Sequence, residues 1–218
     1  MAAARAELDA ALDFVAPLEE AVRRCDARGY DEKKSFIHLL SFEYALFLLM
    51  LRQDWERLAA LVALTKLPVV IEEDGKHGMG TDFDHRIRML IATLDMDRAK
   101  FDVACRRFNE EMGPKPVHYL KVYFRYHQLM SAIIDRDTQR VAQFMAEFEV
   151  MFARRATDQK LIDDSSFKIG AGKYNPLVFD LWAVTLGLWA IHQGIPVTHS
   201  SPVVPIRDFL REAPTAGP

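Results

Sequence analysis

Leu51-Arg-Gln-Asp54, Leu94-Asp-Met-Asp97 and Ile134-Asp-Arg-Asp137 align without gaps, and their final Asp recurs after 43 and then 40 residues. Beyond each of these Asp residues, apolar side chains return four, seven and eight positions later. They are Leu58, Leu61 and Val62, then Phe101, Ala104 and Cys105, then Val141, Phe144 and Met145. A second stripe runs backward through Phe47 and Leu51, Leu90 and Leu94, Met130 and Ile134. Both stripes have the helical period. Two such helices separated by a few residues read as a hairpin. Helix A ends at the Leu or Ile, a tight turn follows, and Asp accepts hydrogen bonds from the free N–H groups of helix B. Each hairpin leaves an apolar face uncovered, so neighbours must stack. The spacing predicts an all-α array of stacked antiparallel helical hairpins, repeat-like with a period of about 40 residues, closed by capping helices. That period lies between the tetratricopeptide and HEAT lengths, and the tetratricopeptide consensus is missing. The third residue after each Asp is basic (Arg57, Lys100, Arg140). The helix dipole mildly disfavours this, and pairing with the Asp would offset it.

Outward from the array, Leu8, Leu12, Val15, Leu18 and Val22 draw an N-terminal helix that Pro17 should kink or split and Gly29 should stop. Asp31 is placed to cap a second helix through Phe36, Leu39, Leu40 and the run Phe42–Leu51. Asn175-Pro176 is a start signal for a late helix, with Gly194 and Pro196 as its stop. This helix is apolar on most of its circumference and should lie buried, with Trp182 and Trp189 in the core. The expected organisation is one domain over 1–218. It runs from an N-terminal helix (1–30) through the array (31–155), a long loop (156–175) and the buried helix (176–194) to an extended tail (195–218).

Composition fits a globular chain. Of 218 residues, 50% are hydrophobic and 27% charged, so a sizeable core is accessible. The 28 Lys and Arg against 31 Asp and Glu leave a net charge of −3. That argues against a dedicated nucleic-acid binder, which carries a basic excess. Cys25 and Cys105 stand in no metal-ligand spacing and read as buried thiols in a reducing compartment. The N-terminal stretch is interrupted by Glu7, Asp9 and Asp13, which suits an amphipathic helix and not a signal peptide. The apolar runs Ala45–Leu51 and Leu181–Ile191 are short of the roughly 20 residues that cross a bilayer. A cytoplasmic chain without a membrane partner is the expectation.

The A-to-B turns are minimal, whereas the B-to-A connections Lys66–Phe83, Met112–Val117 and Ala156–Tyr174 are longer. In a stacked array these three emerge on one edge, and long loops are uncommon unless functional or disordered. The first carries Glu72, Glu73, Asp74 and Asp82, with Asp84 just beyond it, and the third carries Asp158, Asp163 and Asp164. Such an acidic rim suits a basic partner, although a merely solvated charged loop has the same composition. His77, Asp82, Asp84 and His85 lie close enough to suggest a metal, yet no HExxH, Glu-x-x-His pair or EF-hand loop accompanies them. Asp84 more simply begins the helix of His85 and Ile87. Gly78-Met-Gly80 and Gly170-Ala-Gly172-Lys173 lack the spacing and preceding strand of nucleotide-binding loops. Neither a cofactor nor a catalytic residue is expected, and the chain does not read as an enzyme. Tyr119, Tyr123 and Tyr126 share one helix face beside Lys121 and Arg125. They suit packing between hairpins, stacking on nucleobases, or a groove that receives a protein partner.

The late segment Tyr174-Asn-Pro-Leu-Val-Phe-Asp180-Leu-Trp, with Gly194-Ile-Pro and Ser200-Ser-Pro202-Val-Val-Pro205 after it, joins the Leu-x-x-Asp-Trp-Glu-Arg-Leu pattern at 51–58. Together they resemble immunity family forty-nine of the bacterial polymorphic toxin systems over residues 31–210. The resemblance implies a cytoplasmic helical protein that binds and silences a toxin encoded beside it, often one delivered by a contact-dependent secretion apparatus. It carries over no contact residues, because immunity proteins vary most where they meet the toxin. The expected partner is a cognate toxin domain, most plausibly a nuclease such as a DNase, met by the acidic loop edge. A helical-repeat adaptor that takes a peptide into its groove is the alternative.

Overall fold

Helical spacing becomes helix along most of the described chain. The computed structural model describes residues 13–29, 37–71, 82–112, 120–157, 180–202 and 204–210. In chain order these hold α1 (Val15–Ala27), β1 (Ile37–His38), α2 (Leu40–Arg52), α3 (Trp55–Leu64), β2 (Val70–Ile71) and α4 (Asp82–Leu94). There follow α5 (Arg98–Met112), α6 (Leu120–Ile134), α7 (Thr138–Thr157), α8 (Leu181–His192) and the short α9 (Ile206–Phe209). The fold is all-α. Among the described residues it also holds a two-residue parallel pairing of Ile37 with Val70 and His38 with Ile71, which period-2 alternation could not announce over so short a length.

The three A-to-B turns share one geometry. Gln53, Met96 and Arg136 take left-handed φ values of 52, 54 and 55°. The N–H of each donates to the carbonyl three residues back, on Met50, Thr93 and Ile133, at 3.0, 3.1 and 3.0 Å. The N–H of the following Asp reaches five back, to Leu49, Ala92 and Ala132, at 3.0, 2.8 and 2.9 Å. This pair of bonds satisfies the last free carbonyls of helix A. The same Asp then caps helix B. Asp54 Oδ1 accepts from Arg57 N at 3.3 Å, and Asp97 and Asp137 accept from Lys100 N and Arg140 N at 3.0 Å each. What the third position supplies is therefore its backbone N–H, and the basic side chains go three separate ways. Lys100 Nζ stays with Asp97 at 3.0 Å. Arg57 crosses to Glu19 on α1 at 3.2 and 3.4 Å, and Arg140 lies over the Phe144 ring at 5.8 Å.

Each turn brings the second helix back onto the first, so that α2 packs on α3, α4 on α5 and α6 on α7. Helix α4 touches both α2 and α6, and α8 contacts α2, α6, α7 and α9. Every residue of α8 from Ala183 to Ala190 is buried, and Trp189 Nε1 donates to the Thr93 carbonyl of α4 at 3.2 Å. At Gly187 the Ile206 side chain of α9 comes so close that a Cβ would collide with its Cδ1. A glycine there is what allows the C-terminal segment to seat on α8. Gly194, at φ 77°, ends α8 with the bond pattern of the three turns, through Gly194 N to Ile191 O and Ile195 N to Ala190 O.

Several expectations need correction. Pro17 falls in the first turn of α1, where its missing N–H has no intrahelical role, and Leu8 and Leu12 lie outside the described residues. The second helix starts at Leu40 because β1 occupies Ile37–His38, and Asp31 lies outside the described residues. Helix α8 begins at Leu181, where Asp180 caps it by accepting from Ala183 N at 3.0 Å, and Asn175-Pro176 lie outside the described residues. The tail is not simply extended, since Ser201 bridges Val204 and α9 follows. Cys25 and Cys105 are half-buried free thiols rather than fully buried ones.

Candidate functional site

Eleven residues ahead of Asp54, Asp97 and Asp137 stand Glu43, Arg86 and Tyr126. Their common spacing from the turn places them on α2, α4 and α6, and all three are buried, at 6, 3 and 5% exposure. Glu43 and Arg86 form an ion pair, with Nη2 2.9 Å from Oε1. Burial pushes the Glu43 carboxyl above its usual range, although Arg86 pulls it back through its charge and hydrogen bond. The Arg86 guanidinium also lies 5.5 Å from the Trp182 ring centre. Tyr126 donates its hydroxyl to the Asp180 carboxylate, 2.9 and 2.8 Å from the two oxygens. Its ring stacks between Phe148 at 4.7 Å and Trp182 at 5.5 Å. Asp180 thus caps α8 and receives a phenol from α6 at once.

Next to Tyr126, His127 is 4% exposed and packs edge-on to Phe108 at 4.5 Å. Neither of its ring nitrogens has a hydrogen-bond partner among the described residues. Burial, with a smaller contribution from the Arg86 charge, lowers its pKa to about 3, so the ring is neutral at physiological pH. The cluster ties α2, α4, α6 and α8 together through desolvated polar contacts.

A cleft of about 550 Å³ opens beside it, between α4, α5 and the segment that leaves α3. Buried Leu39, Val70, Ala92 and Ala104 form its floor, and exposed Lys66, Arg88, Lys100 and Arg107 stand around its rim. Asp95 receives Lys66 at 2.8 Å and Lys100 at 3.8 Å. Desolvation by burial, and then the charge of Arg107, lower the Arg88 pKa.

No family model, no characterised protein and no solved structure matches this chain. The site therefore stands on its own geometry.

Of the residues singled out from sequence, Tyr126 has its ring and hydroxyl in the interior, as the packing reading of the tyrosine stripe expects. Glu72, Glu73, Asp74, Asp163, Asp164 and Tyr119 lie outside the described residues, as do Asp158 and His77. Asp82 and Asp84 fall in the first turn of α4, and Tyr123 falls on α6, with only their backbone described. Among the described residues, no group of three or more His, Cys, Asp or Glu could hold a metal, and no helix is long and apolar enough to cross a membrane. Sequence reading missed the Glu43–Arg86 pair and the cleft cations. The signal for the pair was present: charges at one repeat position, with Glu43 set inside an apolar run.

Proposed function

We propose that the chain is an immunity protein, a stacked array of about 40-residue helical hairpins that binds and neutralises a cognate bacterial toxin through its acidic loop edge. The observation that carries this reading is the shared geometry of the three A-to-B turns. In a stacked array, turns so short would share one edge and the connections after α3, α5 and α7 would emerge on the opposite one. In the sequence, the connections after α3 and α7 hold Glu72, Glu73 and Asp74, and then Asp163 and Asp164, and Asp82 and Asp84 fall at the start of α4. A concentration of carboxylates suits a basic partner surface such as the substrate cleft of a nuclease, and charge complementarity would speed their encounter. The layout shared with immunity family forty-nine supports the same reading.

The adaptor alternative placed Tyr119, Tyr123 and Tyr126 along a peptide groove, and it is weakened by the burial of Tyr126. Co-expression with the product of the adjacent reading frame tests both. The immunity reading expects a stoichiometric complex and relief of that product's toxicity. Replacing Glu72, Glu73 and Asp74 by Lys should slow association and flatten its salt dependence. Recovery of many housekeeping proteins with no toxic neighbour favours the adaptor, and unchanged kinetics in the charge-reversed variant removes the acidic edge as the binding surface.

A further inference from the structure

Helices α5 and α6 meet along a joint that is held differently at its two ends. At the turn end, Arg98 donates to Ser131 Oγ at 2.9 Å and to Asp135 Oδ2, just past the end of α6, at 2.7 Å. Ten residues further along α5, a rise of about 15 Å, the contact is aromatic. Phe108 lies edge-on to Phe124 at 5.4 Å and to His127 at 4.5 Å, and Phe124 is 6.0 Å from His127. Phe108 and His127 are both buried, so this end is dry. The polar member of the group is His127, and neither of its ring nitrogens has a hydrogen-bond partner among the described residues. A neutral imidazole carries one N–H and one lone pair, and here both are desolvated without compensation. A proton would make this worse, because the ring would become a cation with two unaccepted N–H groups. The charged group that acts on it is Arg86 of α4, a like charge already paired with Glu43 of α2, while α5 and α6 turn the Phe108 and Phe124 rings to it. Water lies close by, since Asn109 and Glu110 on the next positions of α5 are exposed. It reaches the ring once the far ends of α5 and α6 part, and Arg98 can keep the turn end closed meanwhile.

We propose that this end of the joint is an acid-operated latch: a proton on His127 parts the far ends of α5 and α6 about the Arg98 anchor and uncovers Phe108 and Phe124. The rest of the fold stays closed. The latch is separate from the acidic edge and does not depend on the immunity reading.

Native-state hydrogen exchange of the full chain, read residue by residue and corrected for the intrinsic effect of pH on amide exchange, tests it. In the opened state the ring takes up its proton with the ordinary pKa of 6.5, whereas the closed ring holds out to about 3. From pH 8 to pH 5 the opening constant should therefore rise about thirtyfold. Amides of residues 105–109 and 124–128 are expected to lose protection by that factor. Low urea should hardly alter their exchange, because a local opening uncovers little surface. Amides of the buried α8, which exchange when the whole chain unfolds, should stay better protected and respond steeply to urea. His127→Leu should remove the pH effect at 105–109 and 124–128. Exchange at those residues that does not change with pH overturns the proposal. So does a pH effect with the urea dependence of α8, since His127 would then be reached only by global unfolding, or one that survives in His127→Leu. Should that variant lose its helical circular dichroism, the comparison of the two regions in the unsubstituted chain decides alone.

Discussion

At the turns after α2, α4 and α6 the chain does the same thing three times, and eleven residues earlier it does three different things. Asp54, Asp97 and Asp137 each cap a helix after a residue in the left-handed region, with bond lengths that agree within a few tenths of an ångström. Glu43, Arg86 and Tyr126 share a register, yet the first two neutralise each other and the third turns to Asp180, outside the repeat. A turn is satisfied by its own backbone and one side chain, so each copy can be identical and independent. An interior polar position is satisfied only by another element, so identical copies would place like charges together in a low dielectric. Divergence at that position suits the contacts of α4 with α2 and α6, and of α8 with α2 and α6.

The largest consequence is expected at the buried pair. Glu43→Ala leaves the Arg86 guanidinium desolvated with its carboxylate partner gone, which should lower stability by about 3–5 kcal/mol in urea unfolding. Replacing both, as Glu43→Leu with Arg86→Met, should recover most of that loss, because a well-packed apolar pair often matches a buried ion pair. If the double variant is no better than the single one, the pair has a role beyond mutual neutralisation.

How far each region was legible follows from the same contrast. The turns were readable because everything they need lies within a dozen residues: a stripe, an Asp and a second stripe. Even so, the left-handed residue went unnoticed, since the usual glycine is replaced by Gln53, Met96 and Arg136. Gly194 makes the same turn with the expected residue, and that helix end was found. The partners of Glu43, Arg86 and Tyr126 were hidden because register says which residues share a face and not which faces meet. Tyr126 illustrates the loss. Its stripe was visible, but its commitment to Asp180 depends on where α8 lies, 54 residues away. The cleft was equally invisible, being formed by α4, α5 and a segment joined to neither by any sequence pattern.

Acid should separate the interior from the turns by an intermediate amount. His127 has a folded pKa of about 3, against an ordinary 6.5 in the unfolded chain. Between these values the unfolded state takes up a proton that the folded state refuses, so stability falls as pH drops, at about 1.4 kcal/mol per pH unit. Above about pH 6.5 this contribution is constant. Glu43 acts in the opposite sense at the acid end, since its raised pKa lets the folded chain accept a proton before the unfolded one does. From pH 6.5 to 5 a loss of about 2 kcal/mol is expected from His127. His127→Leu, set among Phe108 and Phe124, should remove it. Parallel pH profiles for the two proteins would show that His127 is not the acid-sensitive group.

The smallest effects belong to the turns, where they carry opposite signs. Asp137→Ala removes the acceptor for Arg140 N and should cost about 1 kcal/mol, with similar losses for Asp54→Ala and Asp97→Ala. Met96→Gly should do the reverse. At φ 54° a residue with a Cβ is strained by about 1–2 kcal/mol, and glycine relieves this while giving back part of the gain as unfolded-chain entropy. A net stabilisation of about 0.5–1 kcal/mol is expected in the same urea experiment. Gln53 and Arg136 are poorer places to look, because Gln53 also bonds the Phe209 carbonyl and Arg136 the Gln193 carbonyl at 2.8 Å, and glycine would forfeit those contacts. If the turns are independent copies of one device, Met96→Gly and Asp137→Ala in one chain should sum to within about 0.5 kcal/mol. A larger departure would mean that the turn edge is coupled in the way the interior is.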